Sequence, residues 1–418
     1  MSTPRTSRSV SAASLPTLVR KDSPISFSPA ELEAREAKTT AINAACVHHD
    51  LSALIHLATS THGLLDDGLR RTVWPILLGC NGNELPTQTP WSHLPPHRDE
   101  SQVALDVNRA FVYYPKYESD KQLDRRKEEL SGVIVEVLRR HPLLCYFQGY
   151  HDIVQVFLLV LGAHNAPHVV ARLSLLRIRD FMLPSLDPAI SHLELLHPII
   201  QRADPELYNH LPKMPPFFAL AGTITMFAHL INEYADISRL FDFFLARDTA
   251  MPIYFFAAVV LSRREELLEI EQEDVDIFHA VLGKLPQPFH LEFHIARAAE
   301  LHERLSPQLV RSWAWWNFSS SSVLKASRTP FDMSRLTLAD GEALFAQQEI
   351  KMKRQQTLRK ALKTAHRLKS QLWYYRRPGA LGLAIAVGVY ALWLGRNGGP
   401  GSRWPLSDFL GRFTGVFF

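Results

Sequence analysis

Residues 146–162 read YFQGYHDIVQVFLLVLG, and this stretch decides the fold class. From Tyr150 to Gly162 its spacing predicts a helix that is apolar on nearly every side. Such a helix is stable only when other elements surround it, so we expect it at the centre of the core. In front of it, aromatic residues flank Gln148 and a glycine follows. This segment predicts a loop that the buried helix holds in place.

Outward from this stretch, helical patterns separated by proline and glycine continue to about residue 316. Strand-like alternation is missing, so we predict an all-α fold. Prolines break residues 165–215 into short pieces. Further helices are predicted from the capping box at Ser28 into the forties, at 51–58, from Ser119 to His141, and at 219–233, 237–245, 252–263 and 274–283.

The composition is that of a globular chain, with 418 residues, 46% hydrophobic content and a formal net charge of +4. Its three cysteines lack CxxC spacing, which argues against a disulfide scaffold and fits a reducing compartment. Cys80 and Cys145 have apolar neighbours and are predicted to be core residues. His290 and His294 are four residues apart, but Leu291 stands where a zinc protease needs glutamate. We therefore predict no metal site.

Two short motifs about forty residues apart contain candidate catalytic residues. Arg109 follows Asp106 by one helical turn in VALDVNR, and Gln148 follows Tyr146. A guanidinium can neutralise charge that spreads over γ-phosphoryl oxygens, and a carboxamide can hold an attacking water in line, as GTP hydrolysis requires. Alternatively, Asp106 and Arg109 form a surface ion pair worth a few tenths of a kcal/mol. Gln148 could likewise satisfy a backbone group in a helix lead-in.

Together with two further landmarks, these motifs resemble the TBC family, the activators of Rab GTPases, whose signatures are IxxDxxR and YxQ. Val103, Asp106 and Arg109 match the first signature, with valine in place of isoleucine, and Tyr146 and Gln148 match the second. The other landmarks are Gly63-Leu64-Leu65 with residues 69–79, and Ser238–Asp242. The resemblance covers roughly residues 60–300, and four landmarks in the right order favour it over the alternatives.

The resemblance implies a dual-finger mechanism. Arg109 would be an arginine finger, and Gln148 would orient the hydrolytic water in place of the GTPase's own glutamine. Asp106 would hold the helix and the guanidinium of the arginine. Three neighbours of the glutamine would shape its loop: Tyr146, Gly149 and Asp152. Four residues of the other landmarks would contact the Rab or stabilise the domain: Arg70, Trp74, Arg239 and Asp242.

On this hypothesis the chain is not an enzyme with its own substrate but a GTPase activator that contributes catalytic residues to a Rab. It needs no cofactor of its own, since GTP and Mg²⁺ are carried by the partner Rab, which would bind in its GTP state. Two alternatives are a catalytically silent Rab-binding scaffold and a membrane-organising scaffold at the endoplasmic reticulum.

The C-terminal region has the pattern of a membrane anchor. Residues 351–377 carry ten basic residues and no acidic one, and the uncharged apolar stretch 378–395 follows. Aromatic residues at both rims and positive charge on one side are typical of a transmembrane helix with the preceding domain in the cytosol. Eighteen residues span roughly 27 Å, which suits the thin bilayer of the endoplasmic reticulum. The resemblance then points to the branch tethered there, acting on a Rab of ER-to-Golgi traffic.

Each C-terminal segment has an alternative interpretation. The apolar stretch could dock on the domain or lie in the membrane interface, and the basic segment could bind RNA. Its position against a bilayer favours anionic lipid, so we predict a lipid partner and no nucleic acid.

The predicted organisation has seven parts. Aromatic residues at 313–318 are expected to dock at the domain end, and Ser319–Ser322 to release the chain. The parts are a disordered tail at 1–27, a helical extension at 28–60, the TBC domain at 61–316, a linker and helix start at 317–350, a basic juxtamembrane helix at 351–377, a transmembrane helix at 378–395 and a lumenal tail at 396–418.

Overall fold

The computed structural model describes residues 28–80, 89–115, 119–310 and 313–397, and every regular element in these ranges is helical. The all-α prediction is therefore confirmed for the described part of the chain. The tails predicted at 1–27 and 396–418 lie outside it, apart from residues 396 and 397. The chain forms two compact units that divide between Lys351 and Met352.

The first unit is built from α-helices, with short 3-10 and π segments between some of them. Within the described ranges they are α1 (Pro29–Val47), α2 (Leu51–Thr59), α3 (Asp67–Leu77), α4 (Glu100–Val107), α5 (Asp120–Arg140), α6 (Tyr150–Arg172), α7 (Asp187–Leu193), α8 (Leu196–Ala203), α9 (Pro205–His210), α10 (Leu220–Ile224), α11 (Tyr234–Ala246), α12 (Met251–Ser262), α13 (Arg264–Leu268), α14 (Val275–Leu282), α15 (Leu291–Arg304), α16 (Pro307–Val310), α17 (Trp313–Asn317), α18 (Val323–Ala326), α19 (Pro330–Ser334) and the start of α20 (Leu338–Asn397).

The capping box predicted at Ser28 is present. The Ser28 N–H donates to the Glu31 carboxylate at 2.7 Å, the Ser28 hydroxyl oxygen accepts the Glu31 N–H at 3.3 Å, and Pro29 is the first helical residue. These contacts satisfy backbone donors that the start of a helix leaves without partners, so α1 begins where the sequence places it.

Helix α6 lies at the centre of the first unit, as its apolar surface predicts. Every residue from Ile153 to Gly162 is buried, and α5 packs along it. The helix was predicted to end at Gly162, but Gly162 is a kink with φ 78° and ψ 161°, after which the helix resumes as far as Arg172. The continuation occurs because Val169 and Val170 are buried in the same core.

The helix predicted at 219–233 is wrong beyond Ile224. Met226 and Phe227 adopt left-handed backbone angles, with φ of 50° and 66°, and the chain turns. The Thr225 hydroxyl donates to the Ala221 carbonyl at 2.7 Å, which closes the turn. The Phe227 ring is thereby buried 4.8 Å from the ring of Phe255. Burial of an aromatic side chain thus outweighs local helical preference.

The predicted domain end near residue 316 is also wrong. Trp315 and Phe318 are buried as expected, but Ser321 and Ser322 are buried too and do not release the chain. The fully buried Asp180 carboxylate accepts four hydrogen bonds, from the Ser322 hydroxyl, the Val323 N–H at 3.1 Å, the Gln348 amide at 2.8 Å and the His192 imidazole at 2.8 Å. Because a buried carboxylate needs such partners, residues 317–350 belong to the domain and are not a linker.

The second unit is described only as the continuation of α20. The basic segment 351–377 is helical throughout, as predicted. Within the described residues, the one helical stretch that is long and apolar enough to cross a bilayer is Tyr150–Arg177, most of which is buried in the first unit. Helix α20 contains a shorter apolar run, Ala384–Trp393. The span predicted at 378–395 stays a prediction.

Candidate functional site

The arginine of the first motif lies just beyond the end of α4. The side chain of this residue, Arg109, is exposed, whereas Asp106 is buried. Two contacts fix the backbone around it, since the Lys127 ammonium of α5 donates to the Asn108 carbonyl at 2.9 Å and the Arg109 N–H donates to the Asp106 carbonyl at 2.9 Å. A flexible guanidinium is thus presented to solvent from a backbone with a defined position.

The segment after Arg109 is tied directly to α6. The buried side-chain amide of Gln155 accepts the Phe111 N–H at 3.0 Å and donates to the Tyr114 carbonyl at 3.0 Å. Gln155 belongs to the helix that follows the glutamine motif. One helix therefore positions both motifs.

Gln148 lies on the loop in front of α6, as predicted, and its side chain is exposed. The alternative in which it satisfies a backbone group is not met, because its amide has no hydrogen-bond partner among the described residues. Gly149 is left-handed with φ 98°, and a Cβ there would lie 2.6 Å from the Thr225 methyl carbon. Only glycine fits this position without strain. Gly149 thus shapes the glutamine loop, as the resemblance implies.

A hydrogen bond joins the two motifs. The Tyr146 hydroxyl donates to the Asp106 carboxylate at 2.9 Å. The Tyr146 N–H donates to the Asp99 carboxylate at 2.9 Å, just before the start of α4. Tyr146 therefore bridges α4 from its beginning to its last turn, two residues before Gln148.

The role predicted for Asp106 needs correction. Its carboxylate accepts hydrogen bonds from Tyr146 and from the Gln102 amide at 3.2 Å. In the described chain, no hydrogen bond or ion pair joins it to the Arg109 guanidinium, so the alternative of a surface ion pair is wrong as well. A buried carboxylate binds the donors that are buried with it, and here that donor is the hydroxyl of the other motif.

Asp152 lies on the first turn of α6, and its carboxylate is between the side chains of two histidines. One carboxylate oxygen is 3.2 Å from His151 Nε2, and the other is 2.9 Å from His229 Nδ1. His151 Nδ1 is 3.3 Å from the Tyr146 hydroxyl and 4.0 Å from the Asp106 carboxylate. A continuous polar chain thus runs from Asp106 to His229.

This polar chain shifts the pKa values of its members. Burial raises the pKa of Tyr146, and the negative charge of Asp106 raises it further. Burial lowers the pKa of His151, against the attraction of Asp152 and Asp106. The positive charge of Arg109 also lowers that pKa, so the guanidinium acts electrostatically on the turn that follows Gln148. The hydrogen bond to Asp152 raises the pKa of His229.

Sequence reasoning missed several residues of this site, among them His151, Thr225 and His229. His151 adjoins the motif and could have been noticed there. Thr225 and His229 had no signal, because they lie in the segment that was predicted as helix and instead forms a turn.

A cleft of about 820 Å³ opens beside the glutamine loop. Its wall is mostly apolar where the loop after α6 and helix α10 contribute, and polar where the glutamine motif contributes. Among its lining residues are Gln148, His151, Leu186, Leu220, Ile224 and His229.

The two cysteines predicted as core residues are both half-buried. Cys145 lines the cleft, with its sulfur 2.9 Å from an Arg98 nitrogen, and Cys80 lies at the core edge. The prediction of a core residue is thus met in part by Cys80, which packs against the core, whereas Cys145 lines the cleft.

The landmark residues outside the two motifs lie in the interior and do not form a contact surface. The fully buried Asp242 carboxylate accepts hydrogen bonds from Arg70 Nε at 3.0 Å, Trp74 Nε1 at 2.8 Å and the Leu64 N–H at 3.0 Å. Burial disfavours the charge of Arg70, but Asp242 outweighs this effect and raises its pKa. These contacts join α3 to α11.

Arg239 is buried in the same region and donates to the Glu292 carboxylate at 2.7 Å and to the Ala58 carbonyl at 3.2 Å. Of the two roles left open for these landmark residues, the structure supports stabilisation of the domain.

No cluster of three or more His, Cys, Asp or Glu side chains in the described ranges is arranged to hold a metal ion. His294 is buried, and its pKa is lowered to about 4 by that burial and by His290. Its ring stacks on Phe289 with centroids 5.2 Å apart. His294 therefore packs as an uncharged ring.

Comparison with known proteins finds similarity over most of the chain. A model of the Rab-GTPase-TBC domain matches residues 67–268, a range that contains both motifs. The human protein TBC1 domain family member 20 is 36% identical over 351 residues, which cover 82% of this chain and 84% of that protein. GTPase-activating protein gyp10 of Schizosaccharomyces pombe is 35% identical over 253 residues, 59% of this chain and 66% of the relative. GTPase-activating protein GYP8 of Saccharomyces cerevisiae is 26% identical over 281 residues, 59% and 55% of the two chains.

The described domain is all-helical, and it exposes an arginine and a glutamine on two loops that a hydrogen bond links. The chain belongs to the Rab-GTPase-TBC family.

Proposed function

We propose that this chain accelerates GTP hydrolysis by a Rab GTPase of ER-to-Golgi traffic and supplies two catalytic side chains in trans, Arg109 and Gln148. Activation of Rab GTPases is the activity of the family to which the chain belongs. The observation that carries the proposal is the hydrogen bond from Tyr146 to Asp106, because it joins the two motifs while both proposed fingers stay exposed.

Each finger has a defined task. The Arg109 guanidinium, permanently charged and planar, would pair with the oxygens of the transferred phosphoryl group. The Gln148 amide would accept and donate hydrogen bonds to hold the attacking water in line. GTP and Mg²⁺ would be carried by the Rab. The chain's own residues would bring the two side chains to a phosphate that is already bound there.

The proposed site of action is the membrane of the endoplasmic reticulum. Residues 378–395 would span the bilayer, with the catalytic domain in the cytosol. The cationic face of residues 351–370, exposed in the structure except at residues 352 and 356, supports attraction to anionic lipid headgroups. Tethering to the surface that carries a lipidated Rab would raise the effective concentration of each partner.

The activity is tested with the full chain in lipid nanodiscs and a panel of purified Rabs, each loaded with GTP. We expect one Rab, or a few related ones, to hydrolyse GTP much faster under single-turnover conditions. A variant with both Arg109→Ala and Gln148→Ala should bind that Rab without accelerating it. If no Rab responds to the unaltered chain, the proposed activity is wrong.

The anchor is tested separately by alkaline carbonate extraction of membranes that contain the full chain. We expect the chain to stay in the membrane fraction, and a variant ending after residue 377 to be released. Release of the full chain at high pH would exclude a spanning anchor and leave the proposed activity untouched.

A further inference from the structure

We propose that His229 and His151 are positioning residues for Gln148, which hold the Asp152 carboxylate from two sides and so fix the glutamine loop against the arginine motif. This inference rests on the proposed function of Gln148. It assigns a role to a histidine from the turn after α10, a segment that belongs to neither motif.

The first step is the shape of the glutamine loop. Gln148 and Gly149 form a turn closed by backbone hydrogen bonds, from the Tyr150 N–H to the Phe147 carbonyl at 3.1 Å and from the Asp152 N–H to the Gly149 carbonyl at 3.1 Å. The Tyr150 N–H thus closes the turn that presents Gln148, and the Asp152 N–H closes the next turn, which shares Gly149 and Tyr150 with the first. Only His151 lies between Asp152 and the turn that presents Gln148. The position of the Asp152 side chain therefore affects the position of that turn.

The second step is the contact between the turn after α10 and the glutamine loop. Its Thr225 methyl group lies against Gly149, where a Cβ would be only 2.6 Å away. Its His229 Nδ1 lies 2.9 Å from the Asp152 carboxylate. Two contacts of different chemistry therefore join this turn to the glutamine loop, one steric and one charged.

The third step is the link to the arginine motif. His151 lies between Asp152 at 3.2 Å and the Tyr146 hydroxyl at 3.3 Å, and that hydroxyl donates to Asp106. A carboxylate that is hydrogen-bonded to His229 on one side and lies against the His151 ring on the other loses rotamer freedom. The polar chain thus fixes the distance between the two loops that carry the proposed fingers.

The exposure of His229 makes its role testable. Its side chain is 61% exposed, so its replacement should leave the fold intact. It could act by contact with the Rab or by positioning Gln148, and kinetics separate these roles. Loss of a contact raises KM, whereas a misplaced glutamine lowers kcat.

The experiment measures kcat and KM for activation of the responsive Rab by the full chain and by the variants His229→Gln and Asp152→Asn. We expect kcat to fall between about tenfold and about 10²-fold, the range for a catalytic group displaced by up to about 1 Å, with KM nearly unchanged. His210→Gln is the matched control, because His210 is half-buried and hydrogen-bonded to the Ile270 carbonyl at 2.8 Å, outside the site. That variant should behave like the unaltered chain.

A double-variant cycle separates positioning from a general structural effect. In a chain that already carries Gln148→Ala, His229→Gln should cause no further loss, because the residue through which it acts is gone. A full additional loss in that background would overturn the inference. If Gln148→Ala is inactive and kcat is unchanged in both His229→Gln and Asp152→Asn, the inference is also overturned. An active Gln148→Ala would instead refute the proposed role of the glutamine itself.

The pH profile gives a second readout. The groups that act on the two histidines are Asp152 and Tyr146, together with Asp106 in α4 and Arg109 just beyond it. The charge of Asp152 also raises the pKa of Tyr114, after burial. Because the pKa of His229 is raised above 6.5, its charge-assisted bond is complete below that value and is lost as the pH rises through the raised pKa. The ratio of kcat between the unaltered chain and His229→Gln should therefore fall from about pH 6 to about pH 8.5. A flat ratio would contradict the inference.

Discussion

The Tyr146 hydroxyl lies 2.9 Å from the Asp106 carboxylate, and this hydrogen bond holds together two motifs that are separated by forty residues of sequence. Its donor is two residues before Gln148, and its acceptor is three residues before Arg109. Both residues at the bond are half-buried or buried, whereas both side chains that it serves are exposed. The bond therefore belongs to the frame that presents the proposed fingers.

Replacement of Arg109 by alanine should abolish stimulated hydrolysis. An arginine finger supplied in trans contributes on the order of 10³ to 10⁵ in rate, and Arg109→Lys should recover little of it, because an ammonium lacks the planar fork. The measurement is single-turnover GTP hydrolysis by the responsive Rab. Arg297→Ala, which removes a partly exposed arginine of α15, is the control and should retain full activity. Normal activation by Arg109→Ala would falsify the assignment.

Replacement of Gln148 by alanine should cause a comparable loss, since neither finger can replace the other. The variant should unfold at the same temperature as the unaltered chain, because the Gln148 side chain is exposed and has no partner among the described residues. Gln201→Ala, at an exposed glutamine of α8, serves as the control. If Gln148→Ala retained activity, the assignment of Gln148 would be wrong, and the glutamine of the Rab itself would position the water.

Removal of the Tyr146 hydroxyl tests the bond between the motifs. A hydrogen bond to a charged group contributes about 1.5 to 3 kcal/mol, so Tyr146→Phe should lower kcat by about tenfold or more while the protein still folds. Tyr208→Phe is a matched control, because Tyr208 is half-buried at a distance from the site. If Tyr146→Phe activates as well as the unaltered chain, the two loops are held together by other contacts.

Asp242 should be required for stability and have no catalytic role. Asp242→Ala leaves the buried Trp74 N–H without its acceptor and the buried Arg70 guanidinium with Asp67 alone, and breaking a buried pair costs about 3 to 5 kcal/mol. We expect a large fall in the midpoint of urea unfolding. Asp276→Ala, at an exposed position of α14, should leave that midpoint unchanged. If Asp242→Ala stayed stable and lost only its affinity for the Rab, Asp242 would have the other predicted role, contact with the Rab.

The local parts of the site could be predicted from the sequence. Helix α6 is apolar on nearly every side, and a loop directly before such a helix must lie at its exposed end, so Gln148 was placed correctly. Signature spacing singled out Arg109, whose side chain is exposed just beyond α4, and its catalytic role stays a prediction. In both cases the information lies within a few residues of the position that it describes.

The contacts between segments could not be predicted in this way. Asp106 has an arginine one turn away in sequence, but its carboxylate binds a hydroxyl forty residues along the chain. Asp242 binds an arginine 172 residues away. At 225–230, two left-handed residues break the helix because Phe227 is buried. Each outcome is decided by what is buried together, and neither spacing nor propensity reports that.

The four hydrogen bonds to Asp180 determine where a recombinant fragment can end. A fragment that stopped at residue 316 would lack the donors Ser322, Val323 and Gln348, and His192 alone would face a carboxylate in the interior. Crystallisation trials and activity assays with a shortened protein should therefore retain the chain through Lys351. A preparation cut at the serine run would be prone to aggregate whatever the chemistry of its two fingers.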